Sequence, residues 1–288
     1  MNQFMSSLKE LWKKSNAGVR VSFILASIFI LIAIFSPLIA PFGPSEIDEN
    51  FLKLPPIWAE NSNSTFLFGT DDVGRDLLSR LMYGARISLV IGIGVVFFAA
   101  LFGTVLGMFA GYYGGKIDFV IMRMTDILMA LPSILFAIVI VALLGPGLFN
   151  TILAVSLVSI PSFTRLMRAS VLEETAKEYV QAARANGASN MRILFKEIFP
   201  NSLAPLIVQS SLGFSEAVLS AAALGFLGLG VQPPTPEWGT MLADSRGYIE
   251  SAPWLVTMPG ICILIVVLTF NIMGDGLRDF LDPRMKGR

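Results

Sequence analysis

The segment Glu173–Pro200, EETAKEYVQAARANGASNMRILFKEIFP, is a polar passage set between two long apolar runs. Its Ala, Glu, Gln, Lys, Arg and Met residues favour helix, Gly187 favours a helix end, and Pro200 closes a second helical block. The pattern therefore predicts a short helix, a turn and another short helix. A connection between two membrane spans needs only a few residues, so an ordered segment of this length indicates that it binds a partner protein.

Small residues mark the surface for such a contact. Ala182 and Ala183 are followed by Gly187 four residues later, and small side chains let another protein approach the backbone closely. With Pro200 thirteen residues after the glycine, this pattern resembles the coupling loop through which permeases of ABC importers engage their cytoplasmic ATPases. Two positions depart from the usual form of that loop, because the family more often has Glu where this chain has Gln181 and an aliphatic residue where it has Glu197.

Three further stretches resemble the peptide and nickel branch of these permeases, and within it the second permease subunit of dipeptide importers. They are FGTDDVGRDLLSRLMYGARISL (Phe68–Leu89), ALGFLGLGVQPPTPEWGTML (Ala223–Leu242) and FNIMGDGLRDFLDPRMKG (Phe270–Gly287). The resemblance implies an all-α, polytopic membrane protein with the six transmembrane helices of the type I ABC importer permease fold and both termini in the cytoplasm. It also implies a coupling loop over 169–201, whose ATPase-coupling residues are Glu178, Gln181, Ala182, Ala183, Gly187 and Pro200.

The partners implied by the resemblance are a second, similar permease subunit, two cytoplasmic ABC ATPases and an extracytoplasmic peptide-binding protein. The complex would import dipeptides or short oligopeptides across a bacterial or archaeal cytoplasmic membrane, with a nickel chelate or haem as alternative substrates. ATP and Mg would bind the partner ATPases, and this chain would bind no cofactor of its own. Peptide length and substrate identity are not predicted, because the binding protein largely sets them.

Composition independently indicates an integral membrane protein. Hydrophobic residues make up 54% of the chain, charged residues 15%, and the mean hydropathy is +0.70, which is too apolar for a soluble globule. The formal net charge of +0 gives no basic signature of nucleic-acid binding. The chain has no histidine and one cysteine, Cys262, so neither a zinc site of the usual ligands nor an internal disulfide is expected.

Charge-free runs predict the domain boundaries. Residues 1–20 form a cytoplasmic segment, 21–40 a first span retained as an anchor rather than cleaved as a signal peptide, and 41–86 an extracytoplasmic loop. That loop is expected to end in an amphipathic helix on the membrane surface, in which Leu77, Leu78, Leu81 and Met82 recur at helical spacing between Arg75, Asp76 and Arg80. This helix either packs on the bundle or contacts the substrate. Residues 87–288 form the core permease domain, with five further spans at 87–111, 127–145, 148–164, 202–231 and 254–274. In the second span, three glycines stand four residues apart, at Gly103, Gly107 and Gly111. This spacing predicts that the span packs closely against another helix.

The distribution of positive charge predicts which side of the membrane each loop faces. Sixteen of the 21 Lys and Arg residues fall in the N-terminal segment, the 112–126 connection, the 165–201 loop and the C-terminal tail, and five in the 41–86 and 232–253 loops. The positive-inside rule assigns the first group to the cytoplasm. An ATPase could therefore reach Ala182 and Ala183. The outer loop of Pro233, Pro234, Pro236 and Trp238 is predicted to meet the binding protein or to cap an outer gate, or else to cover the partner permease.

No catalytic site is predicted. The chain has no G-x-x-x-x-G-K-[ST] phosphate loop, so it cannot hydrolyse ATP alone. One ionisable residue, Glu216, stands near the middle of a predicted span, where a carboxylate must face water, a pathway or another polar group. Three roles stay open for it: the translocation path, a polar contact with the partner permease, or a protonated packing residue. A proton-coupled secondary transporter is the alternative class, but no inverted repeat supports it.

Overall fold

The computed structural model describes residues 16–281, which fold into helices with one isolated antiparallel β-bridge between Thr70 and Asp76. The predicted N-terminal segment up to residue 15, and the C-terminal tail from residue 282, lie outside the described residues. The helices are α1 Ala17–Ile39, α2 Leu77–Tyr113, α3 Gly115–Met129, α4 Ser133–Leu144, α5 Leu148–Thr175, α6 Glu178–Ala185, α7 (Asn190–Arg192, a π-helical part Ile193–Ile198, and Phe199–Asn201), α8 Leu203–Phe226, α9 Trp238–Ser245 and α10 Trp254–Leu281.

Five helices, α1, α2, α5, α8 and α10, are long and apolar enough to cross a membrane, and α3 with α4 forms a sixth candidate span. The prediction of one continuous third span over 127–145 is wrong, because α3 and α4 meet at an angle of 89°. The break contains Pro132, which has no N–H to donate and disfavours helical backbone at the residue before it. The 12 residues of α4 extend only about 18 Å, less than a hydrocarbon layer.

The helix predicted before residue 87 is present and packs on the bundle, but its place on the membrane surface and its separation from the second span are wrong. The second span begins at Leu77 and continues unbroken to Tyr113. Leu77 and Leu81 are 1% and 5% exposed, so this first part of α2 is packed inside the protein. Asp76 caps the helix by accepting a hydrogen bond from the Ser79 N–H at 2.7 Å. The loop predicted as 41–86 therefore ends at residue 76.

The fifth span is shorter than the predicted 202–231. Helix α8 ends at Phe226, and the chain then turns through Gly228, whose φ is 78°. The Leu229 N–H donates to the Leu224 carbonyl at 2.9 Å across this turn, the arrangement in which a glycine closes a helix. The apolar composition of 227–231 therefore belongs to a packed turn rather than to more helix.

The predicted glycine ridge is confirmed as the contact between α2 and α5. A Cβ on Gly107 would lie 2.5 Å from the Thr164 carbonyl oxygen and 2.7 Å from the Met167 Cβ. Gly103 and Gly111 face the same helix, with added Cβ atoms 2.5 Å from the Phe163 Cβ and 2.8 Å from the Arg168 carbonyl oxygen. Because these glycines have no side chains, the backbones of α2 and α5 come into contact. The ridge thus fixes α2 against the helix that leads into the Glu173–Pro200 segment.

Replacement of Gly107 by alanine is expected to destabilise the protein by about 1–3 kcal/mol, since the new methyl group must push α5 away. The measurement is thermal unfolding of the purified protein in detergent. Gly260→Ala is the matched control, because Gly260 lies in α10 with nothing within 4 Å of an added Cβ. Equal unfolding temperatures for the two variants would contradict the role of the glycine ridge in packing α2 against α5.

Candidate coupling and translocation site

The helix-turn-helix predicted for Glu173–Pro200 is confirmed. Helix α6 ends at Ala185, and Gly187 adopts φ 75°, a left-handed conformation that side chains resist. The Ala188 N–H donates to the Ala183 carbonyl, and the Gly187 N–H to the Arg184 carbonyl, each at 3.1 Å. These two bonds form the Schellman motif that closes a helix with a glycine. The direction in which the chain leaves α6 therefore depends on Gly187.

A buried apolar cluster holds α6 and α7 against the membrane helices. Val180 of α6 and Ile193, Leu194 and Ile198 of α7 are all fully buried. They pack with residues of α2 and α5, namely Met108, Met167 and Val171. The Tyr112 hydroxyl of α2 adds a hydrogen bond to the Asn190 side chain at 2.9 Å. Side-chain packing thus connects α6 to the pair of helices joined by the glycine ridge.

The opposite face of the segment is open. Glu178, Gln181, Ala182 and Gly187 are exposed and Ala183 is half-buried. An added Cβ on Gly187 would meet nothing within 4 Å. Pro200 is exposed in the last turn of α7. The predicted coupling residues therefore include a small-residue surface that another protein could approach, and their contact with an ATPase stays a prediction.

A polar network joins the end of α5 to both short helices. Glu174 is 7% exposed, and its two carboxylate oxygens accept hydrogen bonds at 2.5 Å from the Lys177 ammonium and the Tyr179 hydroxyl. The Asn201 amide donates to the Tyr179 oxygen at 3.2 Å and to the Glu197 carbonyl at 2.7 Å. Burial and then the Glu174 carboxylate raise the pKa of Tyr179 to about 12, so its hydroxyl stays a donor at neutral pH.

Sequence reasoning missed this network because its members are a turn apart or more and no local pattern joins them. The only local signal is the spacing of Glu174 and Lys177, three residues apart across a helix end, which is typical of an ion pair. The hydrogen bond from Asn201 depends on how α7 folds back.

Glu216 lies on the outward face of α8. Its side chain is exposed, whereas the neighbouring Ala217 and Val218 are buried. No described Lys or Arg forms an ion pair with it. Glu216 therefore does not pack inside this chain, and its role as a protonated packing residue against another subunit stays a prediction. A place on the translocation path and a contact with a second permease remain open, since both need an outward carboxylate.

The outer loop divides into an exposed and a buried part. Pro233 and Pro234 are exposed, whereas Pro236 is buried and Trp238 is 2% exposed. The Trp238 indole N–H donates to the Leu81 carbonyl at 3.1 Å. A contact between Trp238 and a binding protein is therefore wrong, because the ring is part of the protein core. Pro233 and Pro234 remain candidates for such a contact.

Buried charges attach this loop to the start of α2. The Arg80 guanidinium, 4% exposed, donates to the Pro44 carbonyl at 2.9 Å and to the Pro234 carbonyl at 3.5 Å. Its Nε lies 3.4 Å from the Asp71 carboxylate. Glu237 caps α9 by accepting hydrogen bonds from the N–H groups of Gly239 and Thr240, and burial raises its pKa. The local pattern predicts Arg80 on a surface helix, whereas its carbonyl partners come from loops distant in the sequence.

Replacement of Trp238 by phenylalanine is expected to loosen the outer loop, since the indole hydrogen bond to the Leu81 carbonyl, worth about 0.5–1.5 kcal/mol, is lost. The measurement is the rate at which an impermeant maleimide labels a cysteine placed at Thr235. Labelling should occur from the outside and should be faster in the Trp238→Phe background. Labelling from the cytoplasmic side alone would contradict the topology, and an unchanged rate would contradict the structural role of Trp238.

Comparison with known proteins identifies the family. Residues 103–287 match the model for the "binding-protein-dependent transport system inner membrane component", and residues 10–56 match the "N-terminal TM domain of oligopeptide transport permease C". The chain is 52% identical to the di/tripeptide transport system permease protein DppC of Pseudomonas aeruginosa (strain UCBPP-PA14), over 98% of this chain and 94% of that protein. It is 54% identical to the dipeptide transport system permease protein DppC of Escherichia coli (strain K12), over 98% of this chain and 95% of that protein.

The fold also has a solved counterpart. A chain of the MetNI methionine ABC transporter, described as inward facing, matches with a TM-score of 0.60 at 20% identity, over 72% of this chain and 98% of that chain. That likeness supports the type I importer permease fold predicted from the sequence. The membrane helices, the family match and the near full-length relatives agree, and the chain belongs to the inner membrane components of binding-protein-dependent transport systems, the permease subunits of ABC importers.

Proposed function

We propose that this chain is one of two permease subunits of an ATP-driven importer of dipeptides or short oligopeptides in a bacterial or archaeal cytoplasmic membrane. A second, similar permease completes the translocation path. Two cytoplasmic ATPases bind ATP and Mg and engage the Glu173–Pro200 segment, and an extracytoplasmic binding protein delivers the peptide. Both termini lie in the cytoplasm, as the positive-inside distribution supports.

The observation that carries this proposal is the identity of 52–54% to dipeptide and di/tripeptide permeases along almost the whole chain. The packing of the Glu173–Pro200 segment supports a physical route for coupling. The exposed surface at Ala182 and Gly187 receives the ATPase, and the buried cluster beneath it moves with α2 and α5. An ATPase that contacts this surface differently in its open and closed states would shift the permease between two conformations.

Co-purification tests the assembly. The tagged chain, expressed in its source organism and solubilised in detergent, is expected to retain two ATPase subunits and one other permease in fixed stoichiometry. Ala182→Arg, which places a large side chain on the exposed surface, should lose the ATPases and keep the other permease. Purification of the chain without ATPases from membranes that contain them would overturn the proposal.

Uptake tests the substrate class. Proteoliposomes that hold the complex and trapped ATP should take up radiolabelled dialanine when the binding protein is supplied outside, and should fail with a non-hydrolysable ATP analogue. A nickel chelate and haem, offered with the same binding protein, should not be taken up. Uptake driven by a proton gradient without ATP would support the secondary-transporter alternative instead.

A further inference from the structure

A cavity lies at the end of the bundle that carries the Glu173–Pro200 segment. Its volume is about 750 Å3, within the range of small-ligand sites. Its walls come from α5, the start of α8 and the end of α10, so it lies between three of the membrane helices. Under the proposed topology this end faces the cytoplasm.

The cavity wall combines an apolar floor with polar groups at its margin. Leu166, Val208 and Leu212 contribute apolar side chains, while Gln209 and Asn201 contribute amides. Ligand sites commonly show this combination, in which apolar walls supply affinity and a few polar groups set orientation. A molecule with a hydrophobic side chain and amide groups would match this surface.

The charges on the wall are of both signs, and two of them are not neutralised. Glu174 also lines the cavity, but Lys177 and Tyr179 satisfy both of its oxygens. Glu173 of α5 and Arg278 of α10 are exposed, and neither forms an ion pair with another residue in the 16–281 range. The cavity thus presents a separate negative and a separate positive group from different helices.

We infer that this cavity is a peptide site on the cytoplasmic side of the permease, in which Glu173 binds the ammonium end and Arg278 the carboxylate end of a short zwitterionic peptide. The inference rests on the proposed function, and deepens it by assigning a place where imported peptide rebinds. An arginine guanidinium suits a carboxylate because it can donate two parallel hydrogen bonds. A peptide with free termini is neutral overall, so the site's paired charges select it over simple anions or cations.

Occupation of the cavity would act on coupling through groups that already touch it. Glu174, Lys177 and Asn201 line the cavity and also form the network that orients Tyr179 of α6. A peptide beside these groups changes the position preferred by α6, and linkage makes the effect reciprocal. Peptide accumulated in the cytoplasm is therefore expected to slow its own import.

The test uses proteoliposomes of the whole complex with the ATPases inside, so that the lumen represents the cytoplasm. Initial uptake of labelled dialanine is measured with millimolar unlabelled dialanine trapped in the lumen, and with sucrose of equal osmolarity as control. Trapped dialanine should slow uptake about fivefold. Trapped N-acetyl-dialanine, which lacks the ammonium, and dialanine amide, which lacks the carboxylate, should inhibit less.

Substitutions test which residue binds each end of the peptide. For each one the readout is the ratio of its own uptake rates with and without trapped dialanine, so that a change in overall activity cancels. Arg278→Gln and Glu173→Gln should bring this ratio close to one. Arg246→Gln and Glu250→Gln are the matched controls, because both residues are exposed in the 232–253 loop outside the cavity and should keep the wild-type ratio.

Three results would overturn the inference: no effect of trapped dialanine on the wild type, equal inhibition by the blocked peptides, or unchanged inhibition in both cavity variants. The blocked peptides test the wild type directly, so the inference stays falsifiable even where a variant fails to assemble. Failure of the proposed function has a different signature, because then no ATP-dependent uptake occurs with sucrose in the lumen.

Discussion

Replacement of Gly187 by valine is expected to lower ATP-dependent peptide uptake by about tenfold or more. The residue has φ 75°, and L side chains pay about 1–2 kcal/mol for this left-handed conformation, with β-branched residues disfavoured further. Since 1.4 kcal/mol corresponds to about a tenfold change in an equilibrium, the fraction of molecules in which α6 leaves its native position should rise about tenfold. Peptide uptake and ATP hydrolysis by the reconstituted complex are measured together.

The expected pattern is uncoupling, in which ATP is hydrolysed without proportional uptake. Gly187→Asn is the informative control, because asparagine tolerates the left-handed conformation and should retain most of the uptake. If asparagine is as harmful as valine, the ATPase needs close approach to the backbone rather than the conformation alone. Normal uptake with normal ATPase association in Gly187→Val would defeat the prediction, and loss of expression alone would show that Gly187 is only a helix stop.

Local signals predicted the elements whose geometry is determined within a few residues. The turn at Gly187 depends on one φ angle, and the ridge of Gly103, Gly107 and Gly111 depends on a repeat of four along one helix. Long uncharged runs likewise predicted the spans from local sequence alone. Each charged side chain placed in a membrane has its own free-energy cost, whatever its neighbours in space. These features need no knowledge of what lies opposite in space.

The missed features depend on partners far away in the sequence. Trp238 was predicted to meet the binding protein, to cap an outer gate or to cover the partner permease, yet its ring packs beside Gly84, where an added Cβ would lie 2.7 Å from the indole. The local pattern predicts Arg80 on a surface helix, but its guanidinium binds carbonyls 36 and 154 residues away in the sequence. The burial of such a polar group is favourable only when all these partners are present, so it cannot be read from a local pattern.

Replacement of Glu216 by glutamine is expected to lower dialanine uptake about fivefold while the complex still assembles and binds its binding protein. The carboxylate is exposed on α8 and has no cationic partner within the described chain. It could therefore attract the ammonium end of a passing peptide. At about 4 Å that attraction is about 1 kcal/mol in water and about 4 kcal/mol where the effective dielectric constant is near 20.

Substrates and variants together separate this role from a contact with the partner permease. Glu216→Asp keeps the charge and should retain more uptake than Glu216→Gln, and if an N-acetylated peptide is carried at all, its uptake should not respond to the charge. A polar contact with the second permease predicts the opposite result. Glutamine would then preserve uptake, because it still hydrogen-bonds, while Glu216→Leu would leave a polar group of the partner unpaired and break the pair of permeases. Wild-type uptake by Glu216→Gln, with loss of the second permease from purified Glu216→Leu, would decide for the contact and against the path.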